Sequence, residues 1–118
     1  MTSGPAISLR PATREDVPVV ARLIRALAEY ERLSHECLAD EAALEAHLFG
    51  PRPYAEVLVA EVDGAPAGFA LFFHSYSTFL TKPGIYLEDL FVVPEHRGLG
   101  LGRRLLAALA SLAVERGC

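Results

Sequence analysis

No apolar run in this 118-residue chain reaches the roughly 18 residues that a membrane-crossing helix needs. Its opening stretch, MTSGPAIS, has neither a basic region nor an apolar core, so no secretory signal is expected and the cytoplasm is the default compartment. Cysteine is scarce: Cys37 and Cys118 stand far apart without CxxC spacing and read as unpaired thiols of a reducing compartment. The four histidines show no HExxH or other ligand spacing, which argues against a metal. Positive charge is also short. Eleven Lys and Arg against 15 Asp and Glu leave a net charge of −4, with no basic face for nucleic acid. Membrane and nucleic acid are therefore set aside as partners, while a small cationic substrate is compatible with the balance.

What is present is apolar. Hydrophobic residues make up 52% of the chain and charged ones 22%, the proportions of a packed chain rather than a disordered one. The length allows one domain, residues 1–118. A short strand at Ile7 to Arg10 runs into a helix start, where Thr13 followed by Asp16 resembles a capping box and makes Thr13 the expected N-cap. Val17, Val20, Leu23, Ile24 and Leu27 then recur at helical spacing, predicting a helix to about Glu31. A second helix is expected from Asp40 to Gly50-Pro51, with Leu44 and Leu48 turned inward. AEVLVAEV and PAGFALFFHS read as strands joined by a tight Asp63-Gly64 hairpin, and TKPG (81–84) as a turn before a strand from Ile85 to Val93. Leu101, Leu105, Leu109 and Leu112 mark a last helix ending at Gly117. The expected order is β-α-α-β-β-β-α.

Two features carry chemistry. Gly98, Gly100 and Gly102 stand where the chain leaves a strand and enters a helix. There, glycines let successive backbone N–H groups face one concavity and the helix N-terminus adds partial positive charge, a combination suited to a pyrophosphate. Arg97 and Arg103 add charge at the rim. No Gly-Lys-Ser/Thr follows, so this is not a Walker A loop, and GxGxxG spacing is absent too. A glycine-rich helix entry without a ligand is the plainer alternative. The second feature is Glu88-Asp89 inside the apolar strand IYLEDLFVV. In a regular strand these carboxylates face opposite sides, one toward a cleft. An unpaired buried carboxylate costs several kcal/mol, which favours function over decoration, although a solvated edge strand would also tolerate the pair.

Arg97-Gly98-Leu99-Gly100-Leu101-Gly102 matches the (Gln/Arg)-x-x-Gly-x-(Gly/Ala) signature of the GNAT superfamily of acyl-CoA-dependent N-acetyltransferases, placed after the fourth strand and opening the third helix. YLEDLFVVPEHRGLGLGRRLL and LRPATREDVPVVARLIRALAEYERL resemble the spermidine/spermine (diamine) N-acetyltransferase branch. The resemblance implies an α/β fold with a mixed sheet flanked by helices, and acetyl-CoA as co-substrate with no metal. Leu90, Phe91 and Val92 would line the acetyl and pantetheine arm. Backbone N–H groups from Gly98 through Leu99, Gly100, Leu101 and Gly102 to Arg103, with Arg97 beside them, would hold the pyrophosphate. Glu88 would contact the amine and act as general base, Asp89 would attract a cation, and Tyr30 and Glu31 would line the amine site. Without the resemblance, Tyr30 reads as a helix-end aromatic and Glu31 as a solvated charge.

The resemblance also implies a fifth strand, a fourth helix and two more strands, together with a tyrosine that protonates the departing thiolate. The chain stops at ERGC just after a helix, so it reads as incomplete before the fifth strand, with the opening strand short of a neighbour on one edge. The expected activity is acetyl transfer to a primary amine of a small diamine- or polyamine-like cation, by direct attack in a ternary complex. The same reaction on an amino acid or protein terminus is the nearest alternative. A CoA-binding module without turnover, or a fragment completed by a partner chain such as a second copy in a homodimer, are the others.

Overall fold

The computed structural model describes residues 4–118, so Met1, Thr2 and Ser3 of the stretch read for a targeting signal lie outside the described residues. Four strands, β1 (Ile7–Pro11), β2 (Glu56–Val62), β3 (Ala65–Ser77) and β4 (Lys82–Val92), form a sheet in the order β1-β2-β3-β4. Every ladder among the described residues is antiparallel. Helices α1 (Val17–Tyr30) and α2 (Glu41–Phe49) cover one face and α3 (Leu101–Glu115) the other. Among the described residues, the outer edges of β1 and β4 have no strand beside them.

Burial on both faces explains why β2 reads as a continuous apolar run rather than an alternating one. Val57 and Val59 pack with Val20, Leu23, Leu48, Phe69 and Phe91 under α1 and α2. Leu58, Ala60 and Val62 pack with Phe72, Leu101, Leu105 and Leu109 under α3. The β2–β3 turn forms at Asp63-Gly64 as the sequence predicts, with both residues at positive φ (51° and 82°).

Thr13 caps a single 3-10 turn (Arg14–Asp16) that runs into α1, rather than α1 itself. Asp16 accepts from the Thr13 backbone N–H at 2.7 Å and from Arg10 Nη1 and Nη2 at 2.6 and 3.0 Å. Arg10 Nε also donates to Glu61 at 3.0 Å, so one guanidinium ties β1, β2 and the start of α1 together. The Arg10 bonds, then the Thr13 donors, hold the Asp16 carboxyl well below its ordinary range. Asp40 caps α2, accepting from the Ala42 N–H at 3.0 Å.

The TKPG turn is a correction. β3 and β4 stay paired out to Ser77↔Lys82, so the reversal falls at residues 78–81, and Lys82, Pro83 and Gly84 belong to the ladder. Local Pro-Gly punctuation loses to a long partner strand. β4 is an edge, where a missing N–H is tolerated, and Phe73 stacks on Tyr86 across the pair at 5.0 Å.

Candidate active site

β4 is not a regular strand. Leu71 pairs with Asp89 and Phe72 with Leu87, which leaves Glu88 as an extra residue in a bulge. Leu87 packs toward α3, yet Phe91 packs toward α1, so the alternation shifts by one across the bulge. The expectation that Glu88 and Asp89 face opposite sides is therefore wrong. Both line one cleft of about 450 Å³, with Ile24, Leu27 and Ala28 of α1 and Glu31, Leu33, Glu36 and Cys37 from the segment that follows it. Among the described residues, four carboxylates and no cationic side chain border this space.

Beyond the bulge, β4 ends at Val92 and a 3-10 turn (Pro94–His96) leads into the glycine loop. Gly98 and Gly100 adopt φ of 88° and 77°, left-handed values that other residues reach only with strain. Gly100 precedes α3 without a side-chain cap, and the first intrahelical bond is Arg104 N–H to the Gly100 carbonyl at 3.0 Å. The N–H groups of Leu101, Gly102 and Arg103 therefore have no intrahelical partner and carry the positive end of the helix dipole. Gly102 lies close over β4: a Cβ there would sit 3.6 Å from Leu90 Cδ2.

These groups border a second cleft of about 670 Å³. Leu90, Phe91, Val92, Arg97, Gly98, Gly100, Leu101, Gly102 and Arg103 line it, together with Tyr30 and Glu31. Leu99 does not; its side chain packs into the cluster under α3. Tyr30 reaches the cleft because α1 ends beside Phe91, with their ring centres 6.1 Å apart.

Leu27 and Glu31 border both clefts, so the two spaces lie side by side at the C-terminal end of α1. Sequence reasoning missed His96 and Leu27 in the larger cleft and Glu36 and Cys37 in the smaller. Leu27 belongs to the apolar stripe of α1 and is only half-buried there because the stripe runs past the core into the cleft walls. Glu36 sits on an isolated turn (Ser34–Glu36) with no periodic signal, and its return against β4 is a tertiary event.

No helix among the described residues is long and apolar enough to cross a membrane, and no group of three or more His, Cys, Asp or Glu among them is arranged for a metal. Residues 20–118 match the Acetyltransferase (GNAT) family. The chain is 41% identical over 120 residues to thialysine N-epsilon-acetyltransferase of Bos taurus, covering 95% of this chain and 70% of that one. It is 32% identical over 154 residues to an L-ornithine N5-acetyltransferase of Arabidopsis thaliana, covering 92% and 68%. The solved structure of a ribosomal-protein-alanine N-acetyltransferase from Brucella melitensis biovar Abortus 2308 superposes with a TM-score of 0.76 at 27% identity, over 94% of this chain and 74% of that one.

Proposed function

Because the chain belongs to the GNAT acetyltransferase family, we propose that it transfers the acetyl group of acetyl-CoA to a primary amine of a small aliphatic substrate carrying a second ammonium group. Diamines and polyamines fit that description, and so do diamino acids of the kind the thialysine and ornithine relatives are named for. The observation that carries this reading is the pair of adjacent clefts of opposite character. One offers unsatisfied N–H groups and two arginines, chemistry for a pyrophosphate. The other is bordered by Glu31, Glu36, Glu88 and Asp89, chemistry for a polycation.

In this reading Leu90 to Val92 run beside the pantetheine arm and the loop from Arg97 to Arg103 holds the phosphates. The acetyl thioester supplies the electrophile. The chain's own residues orient the amine and take its proton: an alkylammonium has a pKa of about 10.4 and must be deprotonated before it can attack. Glu88, set out of the ladder by the bulge, is the base, directly or through a water. Asp89, Glu31 and Glu36 hold the second cation, and Tyr30 closes the end of the site. Holding both substrates in one space supplies orientation without an acyl-enzyme. A cytoplasmic setting belongs to this reading.

The test is thiol release from acetyl-CoA by the full chain with 1,4-diaminobutane, spermidine, ornithine, lysine, thialysine and an N-terminal peptide. Release with the dications supports the proposal. Release with the peptide alone would move the substrate to proteins, and CoA binding with no release would mean a binding module.

A further inference from the structure

Arg97 follows β4 and its side chain turns back across the cofactor cleft. Its Nε donates to the Val92 carbonyl at 3.1 Å and its Nη1 to the Tyr30 hydroxyl at 3.0 Å. The guanidinium carbon lies 4.4 Å from the centre of the Tyr30 ring and 5.9 Å from that of Phe91. No carboxylate among the described residues lies within 4.0 Å of Arg97. The carbonyl, the hydroxyl and the ring that hold this cation carry no formal negative charge, whereas a phosphate would offer the guanidinium an ionic, bidentate contact.

We infer that Arg97 is a positioning residue with two seats. When the cofactor cleft is empty it rests on Tyr30 and the Val92 carbonyl; when a phosphate anion enters, it moves to the phosphate and releases both. This inference rests on the acetyl-CoA reading of the site. The first seat obstructs the cleft in two ways. It occupies the Val92 carbonyl, a backbone acceptor on the strand segment beside which the pantetheine arm would lie. It also places a positive charge on Tyr30, next to Glu31, where the two clefts lie side by side and a cationic amine would have to settle. Leaving that seat costs part of the cofactor's binding energy, so a change that weakens the seat without touching the phosphate contact must tighten cofactor binding. A purely structural tyrosine could not produce that sign.

The experiment is calorimetric titration of CoA into the full chain, Tyr30→Phe, Arg97→Met and the double variant, with thermal melts to show that each is folded. Tyr30→Phe keeps the ring and removes the hydroxyl acceptor, so CoA should bind about three- to tenfold more tightly. Arg97→Met should bind about tenfold or more weakly, and adding Tyr30→Phe to it should change nothing further. Arg97→Lys should recover part of the lost affinity, because a point charge still meets a phosphate. Unchanged or weaker binding by Tyr30→Phe, or the same factor in both backgrounds, overturns the two-seat inference while leaving the acetyl-CoA site intact. Absence of CoA binding by the unaltered chain overturns the acetyl-CoA reading itself, and the inference with it.

Discussion

Gly68 sits in β3 opposite Val92, at the end of the strand that borders the glycine-lined cleft. A Cβ built there would lie 2.6 Å from the Phe91 carbonyl oxygen and 3.3 Å from Val92 Cα, both backbone atoms that no rotamer change can move. Restoring even 3.0 Å to that oxygen requires β3 and β4 to part by 0.4 Å (3.0 minus 2.6) in a fully paired stretch. The neighbouring bond from Val93 N–H to the Ala67 carbonyl, now 2.8 Å, must lengthen with it. Overpacking of this kind costs about 1–3 kcal/mol, more than the roughly 0.5–1 kcal/mol that alanine returns in backbone entropy. For a domain of this length that lowers the melting midpoint by roughly 3–10 °C. The displaced atoms are those of Phe91 and Val92, so CoA affinity should fall as well, by about tenfold. Gly102→Ala is the internal contrast. Its Cβ would meet only Leu90 Cδ2, at an ordinary 3.6 Å, inside the first turn of α3. Helix propensity then favours alanine by up to about 1 kcal/mol, and the midpoint should rise. Thermal melts of both variants, followed by CoA titration of Gly68→Ala, test the reasoning. A Gly68→Ala midpoint equal to that of the unaltered chain, or a Gly102→Ala midpoint below it, would refute it.

Further outcomes follow from the same geometry. Glu88→Gln should reduce amine-dependent thiol release more at pH 7 than near pH 9.5, where more of the amine is already free; an equal loss at every pH removes Glu88 as the base. Gly100→Glu puts a side chain and a negative charge at a left-handed position in the glycine loop, and if that loop holds the phosphates calorimetry should detect no CoA binding. The Asp16 carboxyl has its folded pKa lowered from 3.8 by Arg10 and Thr13, so its contribution is present above that value and is lost as pH falls below it. Urea unfolding should therefore show a stability loss between pH 5 and about pH 3 that Asp16→Asn reduces, with Asp16→Asn itself costing roughly 1–3 kcal/mol at pH 7. An undiminished acid slope in that variant would assign the loss to other carboxylates.

The two clefts were legible in the sequence to different degrees, and the difference is physical. The glycine loop is local: the left-handed turns at Gly98 and Gly100 and the uncapped start of α3 depend on a few consecutive residues, so their spacing could be read directly. The same holds for the Asp63-Gly64 hairpin, the α1 stripe and the start of α2 at Asp40. Other features were invisible for an equally definite reason. Whether Glu88 and Asp89 share a face depends on a bulge created by pairing with Leu71 and Phe72, and a strand read alone has no partner to be out of step with. Glu36 and Cys37 reach the acidic cleft only because the segment after α1 folds back toward β4. Lys82 to Gly84, turn-formers by composition, were drawn into the ladder by the length of β3.

The sequence by itself determined the elements, their order, the glycine loop at the start of α3 and the family resemblance, because each rests on residues close together in the chain. Tertiary structure alone decided that the carboxylates converge on one cleft, that this cleft lies beside the glycine-lined one with Leu27 and Glu31 between them, and that Arg97 spans toward Tyr30, 67 residues away. Those are contacts between distant segments, set by strand register and by how helices seat on the sheet, and no local pattern encodes them.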